Sequence, residues 1–223
     1  MTTGVALDAA RAGYGAVDVL HDVSMTFPPG VTALLGRNGA GKTTTLSVLA
    51  GTVPLRSGRV RFAGHDISRW STHRRRRAGI TLVPDEPNVF ATLTVADNLT
   101  LFAEGGPTDG AYVTFPELRG LGDRRAGRLS GGERQMLALS RVLVRPTPVI
   151  LLDEVSRGLA PAAVQRLYAA LASMRSPERI IVVVDQYRDE LLGLADIVYV
   201  LRRGELAWAG EPAELRGRPL HAR

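Results

Sequence analysis

The sequence predicts an α/β fold with a mainly parallel sheet, because apolar strand-like runs alternate with helical patterns along the chain. Strand-like runs lie at 31–35, 59–62, 79–83, 149–152, 180–184, 197–201 and 205–208. Helical periodicity follows several of them, at 46–50, 130–143, 161–174 and 189–194. The continuous apolar run at 149–152 is typical of a central parallel strand with both faces covered.

The composition indicates one cytoplasmic domain. At 223 residues and 45% hydrophobic content, the chain can bury one core, and we expect a single domain spanning 1–223. No apolar run is long enough to span a membrane, and residues 1–14 lack a signal-peptide core, so we expect the cytoplasm. The absence of cysteine excludes disulfides, thiolate metal sites and cysteine catalysis. A net charge of +6 permits acidic lipid, nucleic acid or protein partners without choosing among them.

The N-terminal part carries two strand-like segments within residues 5–30, and Pro28, Pro29 and Gly30 form the turn that ends it. Tyr14 lies between the two segments in a Gly-Tyr-Gly stretch. An aromatic ring on a loop can stack on a nucleobase, because every base has a π face. The alternative is an ordinary surface or core tyrosine.

The strongest functional signal is a glycine loop between an apolar strand and a helix. This phosphate loop consists of Gly36, Arg37, Asn38, Gly39, Ala40, Gly41, Lys42, Thr43 and Thr44. Its glycines allow backbone N–H groups to approach an anion at the positive end of the helix. Lys42 supplies charge for the terminal phosphates of a nucleoside triphosphate, and the Thr43 hydroxyl can bind its magnesium ion. Chance would produce this pattern on the order of one time in a thousand, so it predicts a nucleotide site rather than a simple glycine-rich turn.

A basic cluster at 73–77 and a weakly patterned segment at 94–128 follow the first helix. The cluster includes Arg74, Arg75, Arg76 and Arg77, which are compatible with binding to nucleic acid or membrane. No aromatic residues are interleaved with these arginines, and such runs are typical of a solvated helix face. We therefore expect a solvated face here, and a small helical insertion in the segment after it.

A second helix end carries Ser130, Gly131 and Gly132, followed by Glu133. Ser130 and Glu133 have the spacing of a capping box, so a simple capped helix is one interpretation. Glycine in the first turn of a helix costs about 1 kcal/mol in propensity, and the sequence offers no structural gain in return. We therefore expect both glycines to expose backbone N–H groups to an anion, which makes this a second phosphate-binding helix end.

Two carboxylates, Asp153 and Glu154, end the apolar run at 149–152. Ligands of α/β sheets bind at the carboxyl ends of the parallel strands. Asp153 can hold magnesium through water, and Glu154 can orient and deprotonate an attacking water. The alternative is an acidic strand end that caps a helix, but the presence of a phosphate loop favours the catalytic interpretation.

These stretches together resemble the ATP-binding cassette (ABC) ATPases, the motor subunits of ABC transporters. The resemblance rests on the phosphate loop, on Leu-Ser-Gly-Gly-Glu at 129–133 and on Leu-Leu-Asp-Glu at 151–154, and it covers about residues 5–215. It implies a P-loop NTPase fold of the ABC type, with a mainly parallel central sheet, an antiparallel N-terminal β-subdomain and a helical subdomain at about 91–145. Stretches at 82–90, 93–99, 115–118, 136–138, 158–161 and 184–186 resemble the subclass that energises import of branched-chain amino acids and similar polar solutes such as urea.

The resemblance also implies a head-to-tail dimer. Each ATP would lie between the phosphate loop of one subunit and Ser130, Gly131 and Gly132 of the other. Tyr14 falls at the position of the adenine-stacking aromatic. Asp85 falls in the loop that senses the γ-phosphate and magnesium and that abuts the membrane subunit.

Several positions depart from the family pattern. Asp85 replaces the usual glutamine; it can still bind a cation, but its charge opposes the γ-phosphate. Gln186 replaces the switch histidine; it can hydrogen-bond phosphate or water but cannot titrate, and the subclass tends to have glutamine here. Val155 and Ala160 stand where most members have proline and aspartate. The segment at 90–129 is about ten residues short against the family.

From these features we expect an ATPase that couples ATP hydrolysis to transport, with ATP and Mg²⁺ as ligands. The expected catalytic residues are Lys42, Glu154 and Gln186, and the expected magnesium ligands are Thr43, Asp85 and Asp153. The expected partners are a second ABC ATPase subunit, transmembrane permease subunits and, indirectly, a solute-binding protein. The chain would sit on the cytoplasmic face of the membrane, without a nucleic-acid partner. The alternative is a catalytically weak regulatory subunit or a cassette associated with nucleic acid; a kinase fits less well, because its chemistry needs no second helix end.

Overall fold

The computed structural model describes residues 4–145, 147–185 and 188–215. Its strands are β1 (Val5–Tyr14), β2 (Val17–Phe27), β3 (Gly30–Leu35), β4 (Leu55–Phe62), β5 (His65–Asp66), β6 (Ile80–Val83), β7 (Val149–Asp153), β8 (Ile180–Val184), β9 (Ile197–Arg202) and β10 (Glu205–Gly210). Its α-helices are α1 (Lys42–Ala50), α2 (Thr72–Arg77), α3 (Val95–Ala103), α4 (Asp109–Thr114), α5 (Gly131–Val144), α6 (Pro161–Ser173), α7 (Arg188–Leu194) and α8 (Pro212–Leu215). Short 3₁₀ helices lie at Pro116–Leu121 and Ala126–Arg128.

The strands form two sheets, which confirms the predicted α/β fold class. A four-stranded antiparallel sheet has the order β2-β1-β4-β5, and a six-stranded sheet has the order β10-β9-β3-β8-β7-β6. Within the larger sheet β9, β3, β8, β7 and β6 are parallel, and only β10 runs antiparallel, paired with β9. Within the described ranges, no helix is both long and apolar enough to cross a bilayer.

The central strand β7 is buried along its whole length, as its continuous apolar sequence predicts. Its side chains alternate between two cores because successive residues of a strand point to opposite faces. Val149 and Leu151 join the core that contains α1 and the antiparallel sheet. Ile150 and Leu152 join the core that contains α3, α5 and α6. The sheet is therefore a layer between helices and a second sheet.

The register brings the carboxyl ends of the parallel strands to one edge. Asp153 at the end of β7 is paired with Val184 at the end of β8, and Leu152 is paired with Val83 at the end of β6. Because β3 is hydrogen-bonded to β8, the loop after Leu35 leaves the sheet at this same edge. The loops that follow β3, β6, β7 and β8 therefore come together, as expected for a ligand site in a parallel sheet.

The basic cluster differs from its prediction at one position. Arg74, Arg76 and Arg77 are exposed, as expected for a solvated face, but Arg75 is only 2% exposed. Its Nη1 donates to the carbonyls of Val48 (2.5 Å) and Leu49 (2.9 Å) at the end of α1. Its Nη2 donates to the carbonyls of Ile67 (2.9 Å) and Ser68 (3.1 Å). The solvated-face prediction is wrong for Arg75, because this guanidinium caps the negative end of the helix that follows the phosphate loop.

Candidate functional site

The phosphate loop connects β3 to α1, in the order that the sequence predicts. Gly36 and Gly41 have φ values of 148° and 104°. A Cβ on Gly36 would lie 2.4 Å from the carbonyl oxygen of Leu201, and one on Gly41 would lie 2.7 Å from Cδ2 of Leu20. Only glycine fits these two positions, because both the backbone angle and the space exclude a side chain. No described side chain caps the start of α1, so its first N–H groups can bind an anion.

The remaining residues of the phosphate loop differ in their exposure to solvent. Arg37, Asn38, Gly39 and Thr43 are exposed, whereas Ala40 and Thr44 are buried. Nζ of Lys42 donates to the carbonyls of Gly36 (2.9 Å) and Arg37 (3.1 Å), so the ammonium closes the loop on itself. Burial lowers the pKa of Lys42, and the nearby charges of Glu154 and Asp153 partly oppose this shift. The lysine therefore lies within electrostatic reach of both predicted carboxylates.

Asp153 is 1% exposed at the end of β7. Burial, followed by the charges of Glu154 and Asp85, raises the pKa of Asp153 to about 6, while a hydrogen bond from Thr43 and the charge of Lys42 act in the opposite direction. Its Oδ1 is buried and accepts no hydrogen bond within the part of the chain that the structure describes. A hydroxyl beside a carboxylate that keeps an unpaired oxygen fits a hard cation such as magnesium. Thr43 and Asp153 thus satisfy the chemistry predicted for a magnesium site.

Glu154 is half-buried and follows β7 directly. Its φ is 44°, a left-handed backbone conformation that costs a non-glycine residue free energy. Its N–H donates to the carbonyl of Val184 at 2.8 Å, so the end of β8 fixes this turn. Strained residues of this kind concentrate at functional sites, which is consistent with the catalytic role predicted for this carboxylate.

Asp85, in the loop after β6, forms an ion pair that the sequence analysis missed. Nη1 of Arg157 donates to Oδ2 of Asp85 at 2.7 Å. The pair joins two loops whose residues are 72 positions apart. Arg157 comes three residues after Glu154. An arginine this close in sequence to Asp153 and Glu154 is the one sequence signal that could have indicated an ion pair at the site.

A buried network fixes the loop after β7. The N–H of Ser156 donates to Oδ2 of Asp185 at 3.1 Å, and its hydroxyl donates to Oδ1 of the same carboxylate. The hydroxyl of Tyr168, on α6, also donates to Asp185 Oδ2, at 3.0 Å. Burial, followed by the charge of Asp185, raises the pKa of Tyr168, so the phenol stays protonated. Gln186, the predicted switch residue, lies outside the described residues.

The predicted capping box at the start of α5 is present. Ser130 Oγ accepts from the N–H of Glu133 at 3.3 Å, and Glu133 Oε2 accepts from the N–H of Ser130 at 2.8 Å. Ser130 and Gly131 are exposed, and a Cβ on Gly131 would meet no described atom within 4 Å. A Cβ on Gly132 would instead lie 2.6 Å from the carbonyl oxygen of Gly158. The expectation that both glycines lack a structural purpose is therefore wrong for Gly132, which packs against its own chain.

Tyr14 is 52% exposed at the end of β1. The turn that follows it is held by Arg56, whose Nη2 donates to the carbonyls of Gly15 (2.7 Å) and Val17 (3.1 Å). Arg56 also pairs with Asp18 at 2.6 Å. The accessible ring thus stands on an anchored hairpin whose second strand, β2, packs against the phosphate loop through Leu20.

The sequence profile of the ABC transporter family matches residues 20–157. This match covers more than half of the chain, and the fold and the site fit it, so the chain belongs to the ABC transporter family as an ATP-binding ATPase subunit. The high-affinity branched-chain amino acid transport ATP-binding protein BraG of Pseudomonas aeruginosa is 34% identical, over 96% of this chain and 96% of that protein. The probable branched-chain amino acid transport ATP-binding protein LivF of Archaeoglobus fulgidus is 37% identical, over 92% and 91%. The lipopolysaccharide export system ATP-binding protein LptB of Escherichia coli K12 is 34% identical, over 96% and 93%.

Solved structures show the same fold. A bacterial Atm1-family ABC exporter with ATP bound superposes with a TM-score of 0.86 at 26% identity, over 98% of this chain and 40% of that one. The ATP-binding subunit of an ABC transporter superposes with a TM-score of 0.80 at 24% identity, over 95% and 91%. The predicted P-loop NTPase fold of the ABC type, with a mainly parallel sheet and a separate antiparallel sheet, is thereby confirmed.

Proposed function

We propose that this chain binds and hydrolyses ATP to energise the import of branched-chain amino acids or a similar polar solute. The observation that carries the ATPase part is the convergence of Lys42, Asp153 and Glu154 at one edge of the parallel sheet. Lys42 lies within electrostatic reach of both carboxylates, and Thr43 of the phosphate loop lies near enough to Asp153 to lower the pKa of its carboxyl group. We further propose that residues 1–223 form one domain with a helical subdomain at about 91–145.

The proposed mechanism assigns a step to each of these residues. Lys42 exchanges its bonds to the loop carbonyls for the β- and γ-phosphates of ATP, and the first N–H groups of α1 bind the same phosphates. Magnesium, held by Thr43 and by Asp153 behind it, would supply further charge neutralisation at those phosphates. Glu154 orients a water for in-line attack on the γ-phosphorus and accepts its proton. Tyr14 stacks on the adenine.

The second phosphate-binding helix end acts in trans in this proposal. Gly131 is exposed at the start of α5, so its N–H group can reach an anion outside its own chain. Ser130 is exposed as well, but its N–H already donates to Glu133, so this residue would contribute its hydroxyl group. In a head-to-tail dimer they would complete the charge clamp on the partner subunit's ATP. The other proposed partners are permease subunits at the cytoplasmic face of the membrane and, through them, a solute-binding protein.

The solute class is supported by the names of BraG and LivF, which are branched-chain amino acid transport proteins. LptB, a lipopolysaccharide export protein, is similar to this chain at comparable identity and favours lipopolysaccharide export as a second candidate. Reconstitution with the proposed permease subunits in lipid vesicles would separate the two. ATP-dependent uptake of labelled leucine supports import, and release of lipopolysaccharide without leucine uptake contradicts it.

Substitution of the proposed catalytic carboxylate tests the ATPase mechanism. Glu154→Gln should lower phosphate release at least a hundredfold, because a general base contributes about 10²–10⁴-fold. The variant should still bind ATP and should accumulate as an ATP-bound dimer, detected by size-exclusion chromatography. Glu178→Gln, an exposed carboxylate outside the site, is the matched control and should hydrolyse ATP normally. Unchanged phosphate release by Glu154→Gln would remove this residue from its role.

A further inference from the structure

The proposed site holds an excess of negative charge that needs compensation. Three carboxylates lie close together here. The charges of Asp85 and Glu154 both raise the pKa of Asp153. ATP would bring further negative charge to the same place, and like charges at close range repel one another. Lys42 lies within electrostatic reach of Asp153 and Glu154, and the carboxylate of Asp85 is paired with a different cation.

Arg157 is the cation that contacts Asp85. Its guanidinium donates to Oδ2 at 2.7 Å and also lies within electrostatic reach of Glu154 and Glu86. The side chain of Asp85 is 31% exposed and that of Arg157 is 66% exposed, so the pair lies at the margin of the site with its carboxylate partly shielded from solvent. A charge-assisted hydrogen bond of this length fixes the orientation of the carboxylate as well as offsetting its charge.

The backbone around Arg157 is held in place independently of this ion pair. Its N–H donates to the carbonyl of Glu154 at 3.1 Å, and the N–H of Leu159 donates to the carbonyl of Ser156 at 3.0 Å. Ser156 is in turn fixed to the buried carboxylate of Asp185. The guanidinium therefore projects from a preorganised turn, and less conformational entropy is lost when the pair forms.

The two oxygens of Asp85 are in different situations. Oδ2 is paired with Arg157, whereas Oδ1 is buried and accepts no hydrogen bond from the described residues. An unpaired buried carboxylate oxygen is costly unless a cation or a donor reaches it. The orphaned Oδ1 indicates a ligand that arrives with the nucleotide.

We propose that Arg157 is a positioning residue for Asp85: it holds Oδ2, cancels the carboxylate's charge, and leaves Oδ1 available to the magnesium nucleotide. This inference rests on the proposed function and adds a residue to it. A carboxylate in the loop after β6 is then compatible with a polyanionic ligand because the loop after β7 supplies the matching cation. Asp85 and Arg157 form one functional unit, because removal of the arginine alone would leave the charge of the carboxylate uncompensated.

A double-mutant cycle tests this coupling. The variants are Arg157→Leu, Asp85→Gln and the two together, and the measurement is the dissociation constant of a fluorescent ATP analogue with and without Mg²⁺. With Asp85 present, Arg157→Leu should weaken Mg²⁺-nucleotide binding about three- to fivefold, a typical range for a partly exposed ion pair. With Asp85→Gln, the same arginine substitution should change binding less than twofold, because no charge is left to cancel. Arg157→Lys keeps the charge and should restore most of the affinity.

The controls separate this inference from the proposed function. Arg61→Leu breaks an exposed ion pair with Asp8 in the antiparallel sheet and should leave nucleotide binding unchanged. Lys42→Ala should abolish binding in every background; failure of the wild-type chain to bind ATP overturns both the function and this inference. Suppose that the wild type binds ATP, but that Arg157→Leu changes the dissociation constant equally in the wild-type chain and in the Asp85→Gln variant. That result refutes this inference and leaves the proposed function intact. Thermal unfolding of each variant checks folding, and Arg157→Gln replaces Arg157→Leu if the latter does not fold.

Discussion

Replacement of Arg75 by alanine should destabilise the protein far more than replacement of its neighbour Arg77. Arg75 is 2% exposed and donates to four backbone carbonyls, two of them in the last turn of α1. Arg77 is exposed on the same short helix. The two substitutions remove the same chemical group from the same cluster, so the difference between them isolates the buried contacts.

The loss of stability depends on which of the four carbonyls keep another hydrogen-bond donor once the Arg75 side chain is removed. The carbonyl of Val48 also accepts from the N–H of Gly51 at 3.2 Å, and that of Ile67 accepts from the N–H of Trp70 at 2.9 Å. The carbonyls of Leu49 and Ser68 are left without a second donor among the described residues. An unsatisfied buried group costs about 1–3 kcal/mol, and water that enters the vacated space recovers part of this cost. We therefore expect Arg75→Ala to lower the free energy of unfolding by about 3 kcal/mol, or Tm by roughly 6–12 °C for a chain of this size.

Urea denaturation followed by circular dichroism measures this difference. Arg77→Ala should lie within about 0.5 kcal/mol of the wild type, as surface substitutions usually do. Arg75→Lys should recover only part of the loss, because one ammonium cannot reproduce the planar fork that reaches carbonyls in two separate segments, the end of α1 and the turn after β5. If Arg75→Ala and Arg77→Ala unfold at the same urea concentration, Arg75 does not cap α1 in the way described.

Two further predictions concern the site. The pKa of Asp153 is raised from 3.8 to about 6 in the folded chain, so the folded state binds its proton more tightly and the free energy of unfolding falls as pH rises from about 4 to 6. Asp153→Asn lacks this penalty; without nucleotide it should be more stable than the wild type by on the order of 1–3 kcal/mol at pH 7, and equal to it near pH 4, as thermal unfolding at both pH values will show. Gly131→Ala should raise Tm by roughly 2–4 °C, because its Cβ enters open space and about 1 kcal/mol of helix propensity is recovered. Gly132→Ala, with a Cβ 2.6 Å from the carbonyl oxygen of Gly158, should instead lower Tm by several degrees; equal Tm values would contradict that contact.

The phosphate loop and the fold class could be predicted because the signals are local. The strand, the glycines and the helix of the loop are contiguous in the chain, and a glycine such as Gly41 adopts its left-handed φ of 104° without help from distant residues. The alternation of strands and helices is likewise readable from periodicity. The capping box of Ser130 and Glu133 spans three residues and was predicted correctly for the same reason.

Only the tertiary structure shows which of two similar neighbouring residues makes a long-range contact. Sequence alone treats Arg75 and Arg77 alike, and Gly131 and Gly132 alike, yet one member of each pair is packed against a distant segment. Arg157 pairs with a carboxylate 72 positions away. Such contacts depend on how whole elements pack, which no local pattern encodes. The chain therefore determines its nucleotide loop and the capping box of α5 through short-range backbone geometry, whereas the Arg157–Asp85 ion pair and the capping of α1 by Arg75 arise only when whole elements pack together.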